Sequence, residues 1–293
     1  MPKRLDKDQF YALMASSDDA QLRKSIWNLY WRGSAAMRQR IEAELGPKTA
    51  VHRSKSEKEA VDPQWLLDEV TDFAELARSG AYIAGNRRVS PRERTRWRFR
   101  FQRLVADAER ALGSADPEDL ADAVAVMELL VDLACEMRSY DYFRSEDPIE
   151  AARFVVSDAV ALMWSRIRDT WGFSDFAARG APQLIAWESP HGWTRIGDGR
   201  VAQKETSLAT VLASMLTAPD MWIGFAASYL RCLDEIERAR HSAPKRKSQS
   251  AAQAGRQLAY SLAEWNQLLH DKLEGSEAED LLQKLDRHPA LGY

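Results

Sequence analysis

Apolar residues recur along this chain at a spacing of three and four, broken by polar turns. Leu120, Val124, Met127, Val131 and Ala134 form one such stripe, Leu66, Val70, Phe73 and Ala77 a second, and Leu258, Leu262, Trp265 and Leu269 a third. This period is that of amphipathic helices burying one face. Helix starts are written beside the stripes. Asp62-Pro63, Ser90-Pro91, Asp116-Pro117 and Asp147-Pro148 each set an acceptor side chain before a proline, whose missing amide costs nothing in the first turn. Ser90 with Glu93, and Ser276 with Glu279, read as capping boxes.

The pattern predicts short helices at Lys7–Ala15, Asp19–Trp31 and Ala35–Leu45, then longer ones at Pro63–Ser79, Pro91–Leu112, Pro117–Ser139 and Pro148–Trp171. Ala151 to Trp164 is apolar nearly all round, which marks a central, buried helix. Ser174 is placed to cap a helix ending at Trp187, stopped by Pro190 and Gly192, and Thr206 or Ser207 opens the next, to Thr217. Helices at Pro219–Arg240, Arg256–Glu274 and Ser276–Arg287 complete the set. Between two of these helices, Trp193–Ile196, the turn Gly197-Asp198-Gly199 and Arg200-Val201 read as one β-hairpin.

The expected fold is therefore all-α: stacked antiparallel helices, a bundle or irregular solenoid-like array, with one short β-hairpin insert. No self-similar period of the tetratricopeptide, ankyrin or HEAT kind runs through it. The expected division is an N-terminal helical subdomain over 1–46, a linker over 47–61, a central domain over 62–240 with the insert near 190–203, a basic linker over 241–255 and a helical pair over 256–293.

Composition narrows the class. At 293 residues the chain can bury a sizeable core, and its ten Trp make that core aromatic. No run of 18 apolar residues predicts a membrane span, and MPKRLDKDQFYALM lacks an apolar leader, so the expected location is cytoplasmic. Arg far outnumbers Lys and Ala is abundant, a bias of GC-rich bacterial genomes. Cys135 and Cys232 lie within apolar stripes and read as small hydrophobes rather than a disulfide.

The net charge of −3 hides one strong local excess, because residues 85–103 hold eight Arg against one Glu. On a helix from Pro91, Arg92, Arg96, Arg100 and Arg103 share a face, and Trp97 and Phe101 another. Such a face suits a phosphate backbone, with Phe99 or Trp97 against a base. The helix that follows carries Asp116, Glu118, Asp119, Asp122, Glu128, Asp132 and Glu136 with no basic residue. Packed side by side, it would neutralise the arginines, and that reading is favoured over nucleic-acid binding.

Other candidates are weaker. Trp193, beside the turn and next to Arg195, is the expected exposed aromatic anchor, whereas Trp27 reads as core. Glu188-Ser-Pro-His191 has the Glu-x-x-His spacing of di-iron bundles, but occurs once and is broken by proline, so no metal is expected. Gly197-Asp-Gly199-Arg-Val-Ala202 fits a dinucleotide fingerprint only superficially, since no parallel sheet is legible. Asp158 stands in the apolar helix as a buried carboxylate in need of a partner. No nucleotide loop, HExxH, CxxC or nucleophile elbow is present. The expectation is a non-catalytic module without cofactor that docks a protein partner, with nucleic acid as the alternative and Arg92, Arg96, Arg100, Trp97, Trp193 and Arg195 as the binding residues.

Overall fold

A computed structural model describes residues 18–32, 41, 61–242 and 248–291. The expected helices at 7–15 and 35–45 and the linker at 47–61 lie outside these residues except for Ile41 and Val61. The chain divides into two compact units, residues 1–58 and 59–293. In the first, α1 (Asp19–Arg32) is described. Its Trp27 and Trp31 stack at 5.8 Å, yet Trp27 is 57 % exposed, contrary to the expectation that it is core.

The second unit is all-helical in its described residues. It holds α2 (Pro63–Arg78), α3 (Pro91–Ser114), α4 (Leu120–Met137), α5 (Pro148–Ala152), α6 (Val156–Trp171) and α7 (Phe173–Trp187). After a long loop come α8 (Leu208–Met215), α9 (Pro219–Ser242), α10 (Ser248–Ser261), α11 (Ala263–Leu273), α12 (Glu279–Asp286) and a closing 3-10 turn. No described helix is long and apolar enough to cross a membrane.

Four of the predicted caps form. Asp62 accepts from the amides of Gln64 and Trp65, Asp147 from that of Glu150, and Ser90 with Glu93 closes a reciprocal capping box. Ser207 opens α8 by accepting from the Thr210 amide. Asp116 caps nothing, because Pro117 to Asp119 form a turn and α4 starts only at Leu120. Ser174 and Ser276 also miss. α7 starts one residue earlier behind Gly172, and the Ser276 hydroxyl donates to the Leu273 carbonyl instead of capping α12.

The helix expected over Pro148–Trp171 is two helices. Arg153 adopts a left-handed conformation (φ 54°, ψ 36°) and ends α5. α6 then starts at Val156, and its first free amides are answered from a distance: Val156 N at 2.6 Å and Ser157 N at 3.0 Å both donate to the Glu205 carboxylate. Orphan donors at a helix start require such an acceptor. With the break, Asp158 falls in the first turn of α6 and is exposed, so it is not the buried acid expected of it.

The core sits in two aromatic clusters. Phe73, Tyr82, Trp97, Phe101 and Phe143 meet where α2 and α3 face each other, with Trp97 and Phe143 stacked at 4.1 Å. Trp164, Phe176, Phe225 and Trp265 form the second, between α6, α7, α9 and α11. α4 is the helix packed on most sides, against α2, α3, α5, α6 and α7. The C-terminal helices α11 and α12 pack on α9 within the same unit.

At the end of α2 the Arg78 guanidinium binds Glu136 of α4 through Nε (3.0 Å) and Nη2 (2.8 Å), and the Tyr142 hydroxyl donates to the same carboxylate. The Arg78 bond holds Glu136 below the usual carboxylate range. A depressed folded-state value means stability that is present above the ordinary carboxylate range and lost as pH falls through the depressed one. Glu136→Gln is thus expected to be less stable at pH 7, by about 1 kcal/mol for a pair this exposed, with the gap closing toward pH 3. Urea unfolding at several pH values measures it, and a gap that widens on acidification is the contrary result.

Candidate functional site

The arginine excess resolves into an inner and an outer set. α3 buries Trp97, Phe101, Leu104 and Ala108, so its opposite side faces solvent. Acid reaches the inner set from α2, not from α4. Arg88 pairs with Asp72, Arg103 with Glu69 and with Asp107 (3.0 Å), and Arg100 lies 3.7 Å from Glu69 and 3.8 Å from Asp72. Arg100 also donates to the Tyr82 hydroxyl at 3.2 Å and stands over the Phe73 ring. The acid of α4 goes elsewhere: Glu136 to Arg78, Glu128 to Gln183 and Asp132 to the Trp187 indole.

The neutralisation expected of the following helix therefore comes from the preceding one, and it is incomplete. Among the described residues no carboxylate pairs with Arg87, Arg92, Arg96 or Arg98, all of which are exposed. Spaced at four and three, Arg92, Arg96 and Phe99 fall within one narrow arc of the solvent side. Phe99 is 54 % exposed, with the Arg98 guanidinium 4.6 Å from its ring centre. Glu93 is the one carboxylate in this turn, and it accepts from the Ser90 amide at 2.7 Å. Trp97, expected as a possible base contact, lies in the core.

The second candidate is the segment from Glu188 to Ser207. No strand forms there, and the expected hairpin is replaced by a series of turns. Two arms of a hairpin would give their amides to each other; here α5 takes them. Asp147 accepts from Arg195 N (2.7 Å) and Ile196 N (3.1 Å), and Glu150 from Arg200 N (2.8 Å) and Val201 N (2.9 Å). A Cβ at Gly199 would meet the Glu150 carboxylate and displace it from the amides it holds. Glu188, buried, accepts from Ser189 N and Ala209 N, both at 2.8 Å. Burial pushes the carboxyls of Glu188 and Glu205 up despite these bonds. Glu188, which looked chemical in sequence, thus holds backbone in place.

Compared with known protein families, curated proteins and solved structures, this chain matches none.

The pinned loop draws Trp193 inward. Its ring is 3 % exposed and carries the Arg138 guanidinium at 4.7 Å, so it is not the exposed anchor expected of it. Arg195 is held as well, donating to the Met137 carbonyl and Asp141, each at 3.0 Å. His191 makes no hydrogen bond to Glu188; it is exposed, with its ring 5.6 Å from that of Tyr260. Among the described residues no group of three or more His, Cys, Asp and Glu gathers to hold a metal. Cys135 and Cys232 are partly buried against the core, and burial pushes the Cys135 thiol up to about 12, so it stays protonated and unreactive at neutral pH.

The structure thus brings together two residues of the expected set, Arg92 and Arg96, on an open face. Arg100, Trp97, Trp193 and Arg195 are engaged within the fold. Sequence reasoning passed over Arg138, which stands at the end of α4 beneath the loop. Its position one turn after an acidic stretch gave no signal, since what distinguishes it is the Trp193 ring brought from 55 positions away.

Proposed function

We propose that this chain is a non-catalytic stack of antiparallel helices that docks another macromolecule, and that the outer face of α3 binds a phosphate backbone. The observation that carries the reading is the exposed arc of Arg92, Arg96 and Phe99, flanked by Arg87 and Arg98 without carboxylate partners among the described residues. Guanidinium groups engage phosphate bidentately, and an exposed aromatic ring among them offers a stacking surface for an unpaired base. A non-catalytic role is supported by the engagement of the buried carboxylates within the fold, Asp147 and Glu188 with backbone amides and Asp107 with Arg103 and Arg110.

Anisotropy of a labelled single-stranded oligonucleotide over a salt series tests the reading. Each phosphate contact contributes about 0.7 to the slope of log affinity against log salt, so Arg92→Ala/Arg96→Ala is expected to lower it by about 1.4. Phe99→Ala is expected to weaken binding about tenfold with the slope unchanged. No binding at low salt, or a slope the double variant leaves intact, removes the proposal.

A protein partner is the second reading, and it rests on the first unit. Trp27 and Trp31, one turn apart on α1 and stacked on each other, are both more than half exposed, an apolar surface of the kind that anchors protein interfaces. Loss of a specific co-purifying partner on Trp27→Ser/Trp31→Ser, with oligonucleotide binding untouched, is the result expected of it.

A further inference from the structure

A cleft of about 540 Å³ opens where the 188–195 loop meets the end of α4 and the last turns of α10. Its size lies within the range of small-molecule sites. Arg138 stands in its wall, half-buried, with its guanidinium over the fixed Trp193 ring. Its Nε donates to the Cys135 carbonyl at 3.4 Å. Among the described residues no carboxylate pairs with it, and its other polar neighbour is the weakly accepting Cys135 thiol. This differs from Arg195 across the cleft, whose terminal nitrogens are bonded to Met137, Asp141 and Glu146.

The rest of the lining suits an anion. His191, Ser139, Gln257 and Ser261 put polar groups around the opening, and Glu188 is the one carboxylate in the wall. Both Glu188 oxygens face backbone amides, whose dipoles answer part of its charge. A guanidinium stacked on an aromatic ring keeps its orientation in the absence of a ligand, which reduces the ordering that binding must impose. We infer that this cleft binds a small organic anion, a carboxylate or a phosphate monoester, whose acidic group is gripped bidentately by Arg138 with its body lying toward the loop and α10. The inference stands apart from the docking face of α3, because it uses other residues at another place in the unit.

Titration calorimetry of the full chain with benzoate and with phenyl phosphate tests it, benzyl alcohol serving as the neutral control. One equivalent of at least one anion is expected to bind, and none of the alcohol; the tighter anion identifies the acidic group. Arg138→Gln is expected to weaken that binding at least tenfold, and Arg138→Lys to restore it only in part, since the ammonium keeps the charge without the fork. Arg96→Gln on α3 is expected to leave it unchanged. His191→Ala, at an exposed loop position, is expected to weaken it about threefold, and this variant decides the matter should the Arg138 variants fail to fold. Absence of heat for both anions at millimolar concentration would falsify the site. So would equal affinity in Arg138→Gln, equal affinity in His191→Ala where the Arg138 variants do not fold, or a loss in Arg96→Gln matching that in Arg138→Gln.

Discussion

Asp147→Ala is expected to lower the stability of the second unit by about 3 kcal/mol, because one buried carboxylate answers three backbone amides. It caps α5 through the Glu150 amide at 3.0 Å and takes Arg195 N and Ile196 N from the loop. Loss of an N-cap costs about 1 kcal/mol, and a hydrogen bond to a charged acceptor roughly 1.5–3 kcal/mol, less where water can reach the freed amide. For a unit of this size the midpoint of thermal unfolding should fall by about 6–12 °C. Asp116→Ala is the comparison. That residue also precedes a proline but is exposed and caps no helix, so its replacement should stay within about 0.5 kcal/mol. Thermal melts that place both variants together would show that Asp147 is not the post to which the loop is tied.

Trp164→Ala is expected to cost about 4–5 kcal/mol. The side chain is fully buried in the second aromatic cluster, and truncating such a residue costs about 3–5 kcal/mol in lost transfer energy and residual cavity. Its indole N–H also begins a chain of bonds, donating to the Gln183 carbonyl oxygen at 2.6 Å, whose amide in turn donates to Glu128 at 2.6 Å. Gln183→Leu probes that second part. It leaves the indole donor without an acceptor and should cost about 2 kcal/mol with the ring still in place. Denaturant titration of the two variants ranks them, and a Trp164→Ala loss below about 1.5 kcal/mol contradicts the packing described.

Some of this could be read without coordinates because the physics is local. A proline in the first turn behind Asp62, Ser90 or Asp147, and apolar residues spaced at three and four, act within one or two turns of chain. The helices came out where those signals lay. The misreadings share a cause. Asp116-Pro117 and Ser276 carry the same local signal without forming a cap, and Arg153 interrupts a pattern that looked continuous. Local preference amounts to a kcal/mol or so, and packing elsewhere overrides it.

The insert shows the limit most clearly. Two β-favouring runs around a glycine turn suit a hairpin as far as their own residues go, and nothing nearby announces that Asp147 and Glu150, some fifty positions earlier, will claim the amides. With those amides taken, Trp193 turns inward and Arg138 gains a ring to rest on. The arginines of α3 follow the same logic. Their spacing fixed which of them share a face, but only the packing of α2 beside α3 decided that Arg88, Arg100 and Arg103 meet acid while Arg92 and Arg96 remain open. Sequence alone determined the helical class, the aromatic core and where charge accumulates, since these depend on composition and short-range period. Which charges are cancelled, which donors are satisfied and where a cleft opens belonged to the tertiary structure, because each depends on groups that chain distance keeps far apart.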